Sequence, residues 1–402
     1  MLKKKAVSKT DRKSWICAVL LLVSTYPMWF WRVDYIVVPF ATIVLFLFAI
    51  SDLTRSKYRM VSIIAFALQL MILAINSNVF SKNISGVVFY LIGAIGFIPI
   101  FFSTPDFWRK IFDCFIKLLG VLLAMALVEH LLFAFGGVHL VSVSNSECQA
   151  NPGRMYDTYL FNVYLQHTIG KFGTFNRFYA FFNEPGELGT FMVALLFIQR
   201  FDLKKWYNIV FLVSGLLSFS MAFYIALMAW YVFFGNVKRK VVFIIIAFAV
   251  FTYLYNNEII YELVFSRLEL EEDIITHREN AAFNNWVSSV RLEDYLFHPY
   301  QNRATLEYAT TWKWAFIFYG AVPCVLYLLA LVFSRIRKDH SLKDIGIGIA
   351  LVAIIFVQRP FISSFFYVLM MVSPFLYFSS KTVFDKRQMN NNTNRGQLSK
   401  NV

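Results

Sequence analysis

An all-α polytopic membrane protein is the fold class this sequence predicts, and three observations predict it. The 402 residues are 58% hydrophobic and only 15% charged, with mean hydropathy +0.58. A soluble chain of this size needs far more polar surface. Apolar runs approaching the roughly 20 residues a bilayer requires recur about twelve times. The basic residues behind the net charge of +14 sit mostly in short segments between those runs, the pattern that sets topology. That distribution excludes nucleic acid as the expected partner and leaves the lipid bilayer. Cys17, Cys114, Cys148 and Cys324 match no zinc spacing, and only Cys148 falls in a soluble loop, so neither a metal nor a disulfide framework is expected.

The elements follow in order. A basic segment, residues 1–13, precedes the first run, "ICAVLLLVSTYPMWFW". That run lacks a small-residue cleavage site and reads as a retained helix. "YIVVPFATIVLFLFAI", "MVSIIAFALQLMILAI" and "VVFYLIGAIGFIPIFF" give the second to fourth helices. In "STPDFWRKIFDCFIK", Thr104 can cap and Pro105 suits the first helical position. Phe107, Trp108, Ile111, Phe112 and Phe115 then share one face, so an amphipathic helix on the inner leaflet is expected. The fifth span, "LLGVLLAMALVEHLLFAF", carries Glu129 and His130 within the apolar run, expected as an interhelix pair.

The sixth, "FFNEPGELGTFMVALLFI", is expected to begin near Phe178 and to break at Pro185 and Gly186. Residues 207–234 are long for one helix and short for two. Because "RFDLKKW" and "GNVKRK" are both basic, the chain must cross twice between them, with a hairpin near Ser218 to Ser220. The ninth run is "VVFIIIAFAVFTYLY", the tenth "AFIFYGAVPCVLYLLALVF", the eleventh "IGIALVAIIFVQ" and the twelfth "FISSFFYVLMMVSPFLYF". The membrane domain thus spans residues 14–380, and the polar, Asn-rich tail 381–402 is expected to be disordered. Both termini fall on the cytoplasmic side by the distribution of Lys and Arg.

Two connections are long, residues 141–177 and 256–313, and both fall on the outer side. Loops beyond about 15 residues are usually functional or disordered. These carry aromatics and periodic apolar positions, and "EIIYELVFSRLE" and "ENAAFNNWVSSVRLEDYLF" have helical spacing. Chemistry-capable residues concentrate here. The first loop holds Arg154, His167, Lys171 and Arg177. The second holds Arg267, His277, Arg278, Arg291, His298 and Arg303. Arg359 lies at the outer end of the eleventh run, and Glu184 and Glu187 lie near the outer end of the sixth. A carboxylate at membrane depth costs about 2.5 kcal/mol or more unless it has a partner, a proton or water. A polar pocket floored by the break in the sixth helix and roofed by the two loops is therefore expected. Guanidinium forks there suit a diphosphate. A nearby carboxylate or histidine suits a general base on a sugar hydroxyl, and Trp286, Trp312 and Trp314 suit sugar stacking. The acidic run Glu271, Glu272 and Asp273 reads as a solvated face, not a metal site.

The layout and "NRFYAFFNEPGELGTF" resemble the bacterial O-antigen polymerase family, called Wzy, within the O-antigen polymerase and ligase-like membrane glycosyltransferases. The layout covers most of the chain, and the local match covers roughly residues 177–191. The resemblance implies a GT-C-like fold in the bacterial inner membrane and two large, partly helical periplasmic loops. It implies polymerisation of undecaprenyl-diphosphate-linked oligosaccharides at the periplasmic face, without cofactor or metal, and a chain-length regulator of the Wzz type as partner. Arg177 takes the family's loop–helix arginine by position. The substrate-binding candidates are Arg177, Arg278, Arg291, Arg303, Arg154 and Arg359, and the catalytic candidates are Glu184, Glu187 and His298. The chain departs from the family at "SFSMAF", which lacks a Ser-Arg pair, and at "FHPYQNR", which stands where a Gly-rich turn with an adjacent His is usual. Two other functions are alternatives: an O-antigen ligase acting on lipid A-core, which shares the layout, and a flippase without chemistry, which fits it less well. The latter favours paired broken helices in two halves.

Overall fold

The computed structural model describes residues 9–54 except 32, 59–77, 84–136, 143–147, 155–165, 177–234, 312–338 and 340–378, with isolated positions 252, 256, 291, 293 and 296. Among them, α1 is Lys9–Val23, α2 Asp34–Leu53, α3 Met60–Asn76, α4 Ile84–Phe102 and α5 Pro105–Gly136. A three-stranded sheet follows: β1 Val143–Glu147, β2 Met155–Thr158 and β3 Val163–Leu165. Then come α6 Pro185–Ile198, α7 Trp206–Leu217, α8 Met221–Phe234, α9 Trp312–Tyr319, α10 Ala321–Arg335, α11 Leu342–Gln358 and α12 Phe365–Phe378. The windows Ile36–Leu53, Ile84–Phe102 and Pro105–Phe135 are long and apolar enough to cross a membrane. This is a helical membrane protein.

Side-chain bonds tie helix ends together. At one end Lys13 Nζ donates to Ser51 Oγ at 3.2 Å and Arg59 Nη1 to Ile336 O at 2.5 Å. Arg200 pairs with Asp344 at 2.5 Å, and Tyr377 donates to Asp113 at 2.9 Å. These contacts join the starts of α1, α3, α5 and α11 to the ends of α2, α6, α10 and α12. We call this the basic end, and the opposite end, where α6 begins, the loop end. Helix α6 lies at the centre, packed by α7, α8 and α11 and by Phe366 and Tyr367 of α12 against Phe191. It is buried on every face from Leu188 to Ile198, as expected of an all-apolar helix inside a bundle.

Three sequence expectations need correction. The face of Phe107, Trp108, Ile111, Phe112 and Phe115 does not lie on a leaflet. It begins one continuous 32-residue helix, α5, and Trp108, Ile111, Phe112 and Phe115 are buried in the protein core. Thr104 does cap it, accepting from Phe107 N at 3.3 Å, while Asp52 accepts from Thr104 N and Oγ1 at 2.6 and 2.9 Å. The first run leaves the helix at Val23 and passes through Pro27 into a 3-10 turn, Met28–Phe30. The described part of the first long loop forms a sheet. Alternate burial of Tyr156 and Thr158 with half-exposed Asp157 between them is the period of a strand. The strands run antiparallel in order β1-β2-β3, with Thr158 opposite Val163 across the closing turn. Finally, α6 begins at Pro185, not near Phe178. Two short helices with the turn at residues 218–220 stand where the sequence required two crossings.

Candidate functional site

Residues 177–184 reach α6 as irregular backbone. Its polar groups are satisfied by neighbouring segments, as buried peptide groups require. Phe178 N donates to Leu217 O at 3.0 Å, Met28 N to Phe181 O at 3.0 Å and Val163 N to Ala180 O at 2.9 Å. Ala180 takes a left-handed φ of 48°. The Pro-Gly pair is a start signal, not a break. Glu184 is the N-cap, with extended φ −143° and ψ 141°, and Pro185 occupies the first turn, where its missing N–H costs nothing.

This start gathers the charges. Arg359 Nη2 donates to Glu184 Oε2, with the two side chains 13% and 21% exposed. The arginine reaches in because residue 186 is glycine: a Cβ there would stand 3.0 Å from Arg359 Nη2. One turn on, Tyr367 of α12 donates its hydroxyl to Glu187 Oε1 at 2.7 Å. Glu187 sits in the first turn of α6, where the helix dipole favours an anion. The next glycine, Gly189, receives the α7–α8 turn, where a Cβ would lie 2.4 Å from Ser220 Cβ. That turn is held by Arg177, whose Nε donates to Ser218 O and Nη2 to Phe219 O, both at 3.0 Å. The structure thus brings Arg177, Glu184, Glu187 and Arg359 to one stretch of α6.

Arg359 pairs with Glu184 across 175 residues of sequence, and Arg177 is given to the α7–α8 turn. Arg291 is exposed and pairs with Glu293 at 3.4 Å. Arg154, Arg278, His298 and Arg303 lie outside the described residues, as do the acids Glu271, Glu272 and Asp273 and the roof expected of the pocket. Tyr367 was missed by sequence reasoning, because a tyrosine inside "SSFFYVLMM" reads as packing. Its only signal is a phenol in an otherwise apolar buried run, a group that usually finds a partner.

Glu129 and His130 are not an interhelix pair. Glu129 accepts from Leu160 N at 3.1 Å, Phe161 N at 2.8 Å and Asn162 Nδ2 at 2.8 Å. It thereby clamps the β2–β3 turn onto α5. The Tyr164 hydroxyl lies 2.8 Å from His130 Nδ1. Burial first, then the charge of Glu129, holds that hydroxyl above its usual ionisation range. The pair fixes the sheet beside the irregular segment.

Comparison with known proteins adds no relative: no family model, no curated protein and no solved structure matches the chain. Chemically, the arrangement offers a buried carboxylate held by a phenol and a guanidinium whose fork is fixed by a second carboxylate. Both sit where the irregular segment 177–184 leads into α6.

Proposed function

We propose that the chain is an O-antigen polymerase of the Wzy type, a metal-independent membrane glycosyltransferase with the GT-C-like plan of about twelve spans. The basic end faces the cytoplasm of a bacterium, and the loop end faces the periplasm. The observation that carries the reading is the meeting of Glu184, Glu187 and Arg359 at the buried start of α6. Helix α6 has 14 residues, about 21 Å at 1.5 Å per residue, against a hydrocarbon core of about 30 Å. If Gln199 and Arg200 mark the inner boundary, its first turn lies below the outer one, where a lipid diphosphate meets the protein.

The reaction is a single displacement. A hydroxyl of the incoming repeat attacks the anomeric carbon of the undecaprenyl-diphosphate-linked chain. The new C–O bond forms as the bond from that carbon to the diphosphate oxygen breaks. The diphosphate leaves as an anion, and a carboxylate takes the hydroxyl proton. Glu187 is the base best supported by position, with Glu184 and His298 behind it. Glu184 fixes the fork of Arg359, and Arg359, Arg177 and the loop arginines Arg154, Arg278, Arg291 and Arg303 supply positive potential to the leaving group, the kind of electrostatic aid that often dominates rate.

Deletion of the gene, followed by gel analysis of lipopolysaccharide, tests the assignment. A polymerase loss leaves core carrying one repeat. Bare core with long chains retained on the lipid carrier points instead to a ligase. Bare core with unpolymerised repeats on the inner leaflet points to a flippase.

A further inference from the structure

We infer that the basic end carries a binding site for a phosphate oxyanion, built on Arg335 and Arg59 where α10 ends and α3 begins. It stands apart from the reaction proposed above. Arg335 is only 8% exposed. Its Nε and Nη2 are fully buried without an acceptor, which leaves Nη1 as the nitrogen that reaches the surface. Among the described residues no acid pairs with it, and its guanidinium lies over the Phe101 ring, 6.0 Å from Cζ to centroid.

Arg59 adds to the charge. Its Nη1 donates to the carbonyl of Ile336, the residue after Arg335, and the two guanidinium groups act on each other electrostatically. Arg59 is also the N-cap of α3, which has no side-chain cap on its first-turn N–H groups. Two cations and the positive end of α3 therefore lie where α10 ends. Four described acids at this end are engaged elsewhere: Asp52 with Thr104, Asp344 with Arg200 and Ser341, Asp113 with Tyr377 and Asp202 with Lys205; Asp106 is exposed in the first turn of α5.

A guanidinium cannot escape its charge by losing a proton, and a buried cation without a counterion is strongly destabilising. An anion at Nη1 resolves the imbalance. A phosphate oxyanion fits best, because it can accept from both arginines and from first-turn N–H groups together. Its source is either the diester headgroup of an anionic phospholipid or free inorganic phosphate.

The test uses the full chain in a neutral detergent, with calorimetric titration of short-chain phosphatidylglycerol, phosphatidylcholine and inorganic phosphate. Arg59 is exposed, so Arg59→Gln retains the fold, checked by an unchanged Tm, and serves even if Arg335→Gln does not fold. Phosphatidylglycerol is expected to bind the wild type saturably and to bind Arg59→Gln about fivefold more weakly, the weight of one surface cation against an anionic headgroup. Competition by millimolar phosphate would identify the free anion as a sufficient ligand, and its absence would identify the lipid. Phosphatidylglycerol binding no tighter than phosphatidylcholine, with no phosphate binding, would overturn the site. So would equal affinity of wild type and Arg59→Gln for whichever ligand binds.

Discussion

Neutralising Arg359 alone leaves the Glu184 carboxylate without its counterion in a place that water barely reaches. Removing one partner of a buried pair costs about 3–5 kcal/mol. Arg359→Gln is therefore expected to lower the unfolding free energy in detergent by about that much. The double variant Glu184→Gln/Arg359→Gln is expected to recover a large part of the loss. If each single variant and the double are equally stable, the two groups are not coupled. Gly189→Ala presses a methyl into Ser220, and overpacking of this kind costs about 1–3 kcal/mol; an unchanged midpoint would mean that the α7–α8 turn yields freely. The sequence already marked Glu184, Glu187 and Arg359, because charge near an apolar run is expensive wherever it sits. It could not pair them: Arg177 lies seven residues from Glu184 in sequence, yet the guanidinium that reaches it comes from the far end of α11. Nor could it reveal Tyr367, whose aromatic ring hides among packing residues until its hydroxyl is seen to meet Glu187.

At the level of elements, hydrophobic runs located the described helices well and their junctions poorly, and the ninth run lies outside the described residues except for residue 252. Pro-Gly inside "NEPGEL" has two physical readings, an interruption or a beginning. The deciding factor is tertiary: residues 177–184 find hydrogen-bond partners in the 3-10 turn, the sheet and the end of α7, so they need no helix. The amphipathic stretch after Pro105 was misassigned for a similar reason. An apolar face is equally content against lipid or protein, and here it finds α12, where Phe365 meets Trp108 and Phe366 meets Phe115. The sheet depends on Glu129, a carboxylate that holds three N–H groups of one turn. Glu129→Ala is expected to raise amide hydrogen exchange at Leu160 and Phe161 while leaving the amides of α6 protected. Unchanged exchange at that turn would mean the clamp is dispensable.

Across the whole molecule, the described helices divide their charge unevenly. Lysines and arginines cluster where α1, α3 and α11 start and where α6 and α10 end, whereas the described loop end places Arg177 and Arg359 against specific acceptors. That asymmetry gives the bundle a direction and sets the proposed chemistry opposite the proposed anion site. The most direct measurement of the central claim is polymerisation by the purified full chain, given undecaprenyl-diphosphate-linked repeats and no added nucleotide sugar or metal. The wild type is expected to produce a ladder of lengthening chains. Glu187→Gln is expected to bind the repeats and keep the wild-type Tm yet lose at least a hundredfold in rate, the scale of a lost general base. A wild-type ladder from Glu187→Gln, or no ladder from an intact wild-type protein with its own host's repeats, would contradict the account.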